Sequence, residues 1–139
     1  MTPTIVIIED NESDVVLLRH ALDEQGLGYE PLVITDGDAA LGYVFDPLAA
    51  GPLPRLIVLD LNLPKRDGLE VLRAIHASPA LVEVPVLVFT TSDSPSEQQT
   101  AEAEGVRAYI RKPLDLDGFL LVGSLIREIC EEPRPANRR

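Results

Sequence analysis

The stretch IVIIED, residues 5–10, places four β-branched apolar residues directly before two acids, Glu9 and Asp10. A second stretch, LIVLD at residues 56–60, repeats the pattern and ends on Asp60. Short β-branched runs of this length favour buried strands, and an unbroken apolar run is typical of a strand that is covered on both faces. Both stretches therefore predict strands that end on carboxylates.

Two later strand candidates also end on polar side chains. The candidate at 86–90 ends on Thr90, and the candidate at 108–111 is followed directly by Lys112. Because ligands of parallel α/β sheets lie outside the carboxyl ends of the strands, these side chains and the three acids are expected to converge at one edge. Three carboxylates with one hydroxyl and one lysine suit a divalent cation and a phosphoryl group.

Composition restricts the class of protein. The chain has 139 residues, of which 45% are hydrophobic and 25% charged, which favours one globular domain with its own core. The formal net charge of −11 argues against nucleic acid as a direct partner, because binding to a phosphate backbone needs a basic face. Cys130 is the only cysteine, so no intramolecular disulfide can form and a reducing compartment is indicated.

Localisation and domain organisation follow from the same inspection. The first apolar run is too short and too soon acidic for a signal peptide, and no run is long enough to span a bilayer. We therefore expect a cytoplasmic protein with no membrane contact. We also expect one domain over residues 1–131, a flexible tail over residues 132–139, and no second domain after it.

Strand candidates alternate with helical patterns along the chain. The strand candidates are residues 4–8, 32–34, 56–60, 86–90 and 108–111. The first helix carries Val15, Leu18 and Leu22 on one face and is capped by Asn11 or Ser13. Five strand–helix units predict an α/β fold, in which a parallel sheet has helices on both faces.

The other helices begin at local signals. These are Asp36 or Asp38 for the second helix, Asp67-Gly68 for the third, Pro95 for the fourth, and Asp115 or Asp117 for the fifth. The segment 46–55 contains three prolines and one glycine, and it is predicted to be a surface connection.

The three acids suggest a metal site. Glu9, Asp10 and Asp60 would repel one another at close range unless a cation lay among them. Mg²⁺ prefers carboxylate, carbonyl and water oxygens, and the backbone carbonyl of Asn62 is a further candidate ligand. Any one of these acids alone is better explained as a solvated strand end, but three acids after two apolar runs favour the metal site.

The remaining polar residues suit phosphoryl chemistry. A carboxylate can attack phosphorus to form an acyl phosphate, and Asp60 is the best placed of the acids because it follows a central strand. Thr90 can donate its hydroxyl to a phosphoryl oxygen, and Lys112 can neutralise another. The Lys112–Pro113 bond can be cis at low cost, which would fix the direction of the lysine. Tyr109 is either an ordinary half-buried aromatic or a side chain that reports the state of Thr90 by changing rotamer.

These motifs together resemble the receiver domain of two-component response regulators, over roughly residues 5–130. The resemblance rests on Glu9-Asp10-Asn11, on VLDLNLP around Asp60, on Asp67-Gly68, on Thr90-Thr91-Ser92 and on Lys112-Pro113. It implies a flavodoxin-like sheet of five parallel strands in the order 2-1-3-4-5 with five helices. It also implies that Asp60 is the phosphoacceptor and that Glu9, Asp10 and Asp60 hold Mg²⁺.

The resemblance assigns the other roles as well. It implies that Thr90 is the switch hydroxyl, that Lys112 contacts the phosphoryl group and that Tyr109 is the switch aromatic. The implied partner is a sensor histidine kinase or a histidine phosphotransfer protein. The sequence further resembles the stand-alone receivers that serve phytochrome-type kinases. The motifs that carry this resemblance are EDN followed by Asp14, LNLPK, FTTSD and KPLD, together with the long 46–55 connection.

The leading hypothesis is therefore a stand-alone response regulator that accepts a phosphoryl group on Asp60 and changes the surface of its fourth helix, fifth strand and fifth helix. Beyond self-phosphotransfer and autodephosphorylation it is not expected to be an enzyme. Leu121 and Leu125, on one flank of the fifth helix, either form a homodimer interface with the fourth helix or pack under neighbouring loops.

Three other classes of protein fit the sequence less well. A degenerate receiver that only binds protein is disfavoured by the intact set of acids, threonine and lysine. A small aspartyl-phosphate hydrolase usually carries a second aspartate two residues after the nucleophile, where this chain has Asn62. A flavin-binding domain is disfavoured because Glu9-Asp10-Asn11 follows the first strand in place of a phosphate-cradling loop rich in Ser, Thr and Gly.

Overall fold

The computed structural model describes residues 4–133, and these residues form one parallel sheet with helices on both faces. The strands are β1 (Thr4–Ile8), β2 (Glu30–Ile34), β3 (Leu56–Leu59), β4 (Val86–Thr90) and β5 (Ala108–Arg111). The α-helices are α1 (Glu12–Glu24), α2 (Gly37–Phe45), α3 (Gly68–Ala77), α4 (Pro95–Ala103) and α5 (Leu116–Glu131). All four strand pairings are parallel and the order is β2-β1-β3-β4-β5, so the predicted fold class is confirmed.

The two faces of the sheet carry two separate cores. In β1, Ile5 and Ile7 pack towards α1 and α5, whereas Val6 and Ile8 pack towards α2, α3 and α4. Successive side chains of a strand point to opposite faces, so a continuous apolar run is what a doubly covered strand requires. The central strands are consequently rigid, and they fix whatever follows their carboxyl ends.

Side-chain caps set the beginnings of the α-helices. The caps are Asn11 for α1, Asp36 for α2, Asp67 for α3, Ser94 for α4 and Asp115 for α5, and each side chain accepts a hydrogen bond from a backbone N–H of the first turn. Such bonds satisfy the free N–H groups at a helix start. The predicted helix starts are confirmed, and the cap is the earlier residue wherever two were considered.

Two local predictions need correction. Strand β2 begins at Glu30, two residues before the predicted start, because register with β1 continues through Pro31 even though the apolar pattern does not. A proline is tolerated there because β2 is an edge strand. The 46–55 connection is not wholly on the surface: it contains a 3₁₀ helix, Pro47–Ala50, and both Pro47 and Pro54 are buried.

The two leucines of α5 for which two roles were predicted differ in their exposure. Leu121 is 72% exposed, whereas Leu125 is partly buried against the core that α1 and α5 share. Leu125 is therefore packed, but against this core and not under a neighbouring loop as the alternative had it, whereas Leu121 is not packed. Val122 and Ile126 are buried in the same core.

The C-terminal boundary stays a prediction. Glu132 caps the carboxyl end of α5 and forms an ion pair with Arg107. The rest of the predicted tail, residues 134–139, lies outside the described residues. No α-helix in the described part of the chain has the length and apolar character needed to cross a membrane.

Candidate metal and phosphoryl site

The carboxyl ends of the strands bring the predicted polar residues together. Backbone hydrogen bonds continue one residue beyond β1 and β3, since Glu9 N–H donates to Ile34 O at 2.9 Å and Asp60 N–H donates to Ile8 O at 3.0 Å. The residues Glu9, Asp60 and Thr90 are only 2%, 3% and 0% exposed. The site is thus part of the rigid sheet edge.

Three acids form a candidate metal centre. One carboxylate oxygen from each of Glu9, Asp10 and Asp60 lies within 4.8 Å of the others, and Asp10 alone of the three is exposed. Two buried carboxylates beside a third carry repulsion that a divalent cation would relieve, and hard oxygen ligands of this kind fit such a cation. The donor set is therefore suited to a divalent metal, with Asp10 on the solvent side.

Lys112 joins the acids from the end of β5. Its Nζ lies 2.8 Å from Glu9 Oε1, 2.8 Å from Asp14 Oδ2 and 3.0 Å from Asp60 Oδ2. No cis peptide bond occurs within residues 4–133, so the suggested cis bond before Pro113 is not found. The direction of the lysine comes instead from its three carboxylate partners.

Burial and pairing shift the protonation of this cluster. Burial raises the pKa of Glu9 to about 7, against an opposing hydrogen bond from Lys112. Burial lowers the pKa of Lys112, but hydrogen bonds to Asp14, Glu9 and Asp60 together outweigh burial and raise it. Lys112 is therefore a charged ammonium at neutral pH, whereas Glu9 is poised between its two forms.

Asp60 is fixed from two sides. Its Oδ1 accepts a hydrogen bond from Asn62 N–H at 2.9 Å, and its Oδ2 accepts one from Lys112. Behind it, helix α3 approaches closely at Gly68, where a Cβ atom would lie 2.4 Å from Leu61 Cα and 2.7 Å from the Asp60 carbonyl oxygen. The carboxylate is thus held in one orientation beside Glu9 and Asp10. The role of the Asn62 carbonyl as a metal ligand stays a prediction.

The loop between β4 and α4 is tied to both the site and the helix. Thr90 Oγ1 accepts a hydrogen bond from Ser92 N–H at 3.2 Å, and Thr91 Oγ1 accepts one from Asn62 Nδ2 at 3.2 Å. The Ser92 hydroxyl in turn donates to Glu97 of α4. A change at Thr90 can therefore be transmitted to the first turn of α4.

Tyr109 lies on β5 beside this loop. Its ring is partly buried against the core that α2, α3 and α4 cover, and burial raises the pKa of its hydroxyl. The structure thus places it as a half-buried aromatic. Its role as a switch is still a prediction.

Sequence reasoning gave no role to Asp14. It lies in the first turn of α1, and it meets Lys112 only because α1 and β5 are brought together by the sheet. The signal that was available is the Asn11 cap, since it fixes the start of α1 and so places Asp14 next to the site.

The fold and this site define the receiver class of α/β domains. The family model for the response regulator receiver domain matches residues 5–121, and the chain belongs to that family. The resemblance drawn from the motifs is confirmed.

Two curated relatives are similar to this chain over most of its length. The probable methanogenesis regulatory protein FilR2 of Methanothrix harundinacea is 39% identical over 125 residues, which is 89% of this chain and 81% of the relative. Response regulator Rcp1 of Synechocystis is 36% identical over 121 residues, 85% of this chain and 82% of the relative.

Solved structures agree with this result. The phosphorylated cyanobacterial phytochrome response regulator RcpA superposes with a TM-score of 0.87 at 32% identity, covering 98% of this chain and 100% of that one. The Mn²⁺-bound form of Rcp1 has a TM-score of 0.86 at 33% identity, with 96% and 99% coverage. A relative with this fold thus holds a divalent metal, in keeping with the acidic cluster.

Proposed function

We propose that this protein is a response regulator that accepts a phosphoryl group on Asp60 from the phosphohistidine of a sensor histidine kinase or a histidine phosphotransfer protein. The observation that supports it most is the setting of Asp60, a buried carboxylate between a lysine ammonium and two further acids. A buried acid with such neighbours is suited to a covalent phosphoryl step.

The transfer step follows from the positions of the side chains. A carboxylate oxygen of Asp60 attacks phosphorus, the bond from phosphorus to the donor imidazole nitrogen breaks, and its electron pair stays on that nitrogen, which takes up a proton. Lys112, already at Asp60, donates to an oxygen of the transferred group. Mg²⁺, which Glu9, Asp10 and Asp60 are suited to hold, supplies positive charge against the charge of that group when bound.

The output is a change of surface. An aspartyl phosphate brings about −1.5 to −2 charges to the site, which favours donation of the Thr90 hydroxyl to it. Ser92 links the Thr90 loop to Glu97 of α4. We therefore expect α4 to follow the loop and Tyr109 on β5 to change rotamer with it. The result is a population shift of the face formed by α4, β5 and α5.

We further propose that the donor is a phytochrome-type kinase. The support is that RcpA and Rcp1 match over nearly their whole length, and that the bacteriophytochrome response regulator RtBRR matches with a TM-score of 0.76 at 31% identity. The exposed Leu121 on α5 supports a homodimer through the α4–α5 face. We propose no external substrate, since Asn62 offers no acid–base group next to the acceptor.

Binding of beryllofluoride, a mimic of a bound phosphoryl group, tests the site. We expect amide NMR spectra to show a Mg²⁺-dependent adduct in the wild type, with shifts at Thr90, Lys112 and the α4–β5–α5 face. The Asp60→Asn variant should show none. No adduct in the wild type would favour the alternative of a degenerate receiver that binds protein without phosphorylation, whereas an adduct in Asp60→Asn would show that Asp60 is not the acceptor.

A further inference from the structure

Asp14 makes a contact that the roles described so far do not use. Its Oδ2 lies 2.8 Å from Lys112 Nζ, and the two side chains are only 17% and 7% exposed. Its own backbone N–H is held by the Asn11 cap at 3.1 Å, so the start of α1 fixes its position. A largely buried ion pair between α1 and β5 thus stands at the edge of the acceptor site.

The lysine ammonium can donate three hydrogen bonds, and three carboxylates lie within 3.0 Å of its nitrogen. Two of these partners change in the proposed reaction, because Asp60 receives the phosphoryl group and Glu9 belongs to the metal trio. Among the described residues, the metal cluster consists of Glu9, Asp10 and Asp60, and Asp14 is not part of it. It is therefore the one of the three partners that the proposed reaction leaves chemically unchanged.

We propose that Asp14 is a positioning residue that holds the Lys112 ammonium at the rim of the site, where it can meet the transferred phosphoryl group. This inference rests on the function proposed above. A lysine side chain is a point charge on a flexible four-carbon stem, so it needs fixed partners to keep one direction. Without Asp14, the ammonium moves further onto Glu9 and Asp60 and neutralises the two carboxylates that the reaction requires.

A purely structural role is the competing explanation. Asp14 is one of two acids in the first turn of α1, where negative charge stabilises any helix through its dipole. The other acid, Glu12, is exposed and makes no contact with Lys112, so Glu12→Ala is a matched control. It removes one charge from the same turn and changes the long-range field on an anionic donor in a similar way.

Phosphorylation kinetics with acetyl phosphate and Mg²⁺ separate the two explanations. Because the ammonium loses the partner that fixes its direction, we expect Asp14→Ala to be about tenfold slower than Glu12→Ala, a difference of about 1.4 kcal/mol in activation free energy. In the Lys112→Ala background, Asp14→Ala should cause no further loss, since its effect passes through the lysine. Equal rates for the two single variants, or losses that multiply in the double variant, would overturn the inference.

The lysine itself gives a second measurement that does not depend on Lys112→Ala folding. Lys65 and Lys112 are the only lysines of the chain, so an ¹H–¹⁵N spectrum of the ammonium groups has two signals to assign. The Lys112 signal should persist through slow exchange in the wild type and in Glu12→Ala, and it should broaden or vanish in Asp14→Ala. Lys65, which is mostly exposed, provides the fast-exchanging reference. An unchanged Lys112 signal in Asp14→Ala would contradict the proposal.

The outcomes also separate this inference from the function on which it rests. A wild type that takes no phosphoryl group would remove the proposed function, while the ammonium spectrum would still report whether Asp14 holds the lysine. A phosphorylated wild type with an insensitive Asp14→Ala variant would remove the positioning role alone.

Discussion

At the scale of single residues, Glu9 combines deep burial with a place in the metal trio. Burial raises its pKa to about 7 from an ordinary value of 4.5. In the absence of a divalent cation, the folded protein therefore holds a proton on Glu9 at pH values where the unfolded chain has released it. A bound cation would favour the charged form instead.

This difference predicts how stability depends on pH. Without divalent cations, the Glu9 contribution is fully present below pH 4.5 and is lost as the pH rises through about 7. The expected loss of unfolding free energy is on the order of 2 kcal/mol relative to Glu9→Gln. Urea titrations in EDTA across this range measure it. An identical pH dependence in Glu9→Gln would contradict the assignment.

The residue scale also shows where sequence reasoning stops. Glu9, Asp60, Thr90 and Lys112 could be predicted as one site because each follows an apolar run, and the parallel sheet then aligns the strand ends. The contact of Lys112 with Asp14 could not, because it depends on how close the first turn of α1 comes to the residue that follows β5.

At the scale of elements, the close approach of α3 to the acceptor loop depends on Gly68. A Cβ atom there would meet Leu61 Cα at 2.4 Å, and neither backbone can move aside easily. A Cβ atom added at Gly42 in α2 would have no heavy atom within 4 Å, so Gly42 is a suitable control.

We therefore expect Gly68→Ala to reduce the unfolding free energy by at least about 2 kcal/mol through overpacking. It should also slow phosphorylation, because the displaced loop carries Asp60. Gly42→Ala should be neutral or more stable by about 0.5–1 kcal/mol, as alanine is the better helix former. Denaturant melts of both variants decide the matter, and similar stabilities would show that the close approach is not a constraint.

Secondary-structure elements with a clear sequence pattern of their own could be predicted. Elements whose bounds depend on pairing or packing with neighbouring elements could not. Strands β1, β4 and β5 follow continuous apolar runs and match the predicted bounds. The first two residues of strand β2 are in the strand because they pair with β1. Glu30 and Pro31 are not part of an apolar run, so the sequence does not predict this. The 3₁₀ helix at Pro47–Ala50 is likewise set by burial of prolines that, in sequence, favour a loop.

At the scale of the whole molecule, exposed apolar side chains suggest where a second copy would bind. Leu121 on α5 is the residue that the proposed dimer needs. Leu48, in the 3₁₀ helix between α2 and β3, is also exposed and lies on an element outside the α4–α5 face.

Sedimentation at high micromolar concentration should find dimers for the wild type and for Leu48→Asp. Leu121→Asp should be monomeric, because a charge buried at an interface without a partner costs several kcal/mol. A monomeric wild type, with and without phosphorylation, would remove the dimer from the account.

Intact mass after incubation with acetyl phosphate shows whether Asp60 takes a phosphoryl group in a metal-dependent reaction. We expect the wild type to gain the mass of one phosphoryl group in Mg²⁺ and to gain nothing in EDTA. The Asp60→Asn variant should gain nothing in either. A wild type that stays unmodified where another receiver is labelled, or an Asp60→Asn variant that is modified equally, would contradict the account.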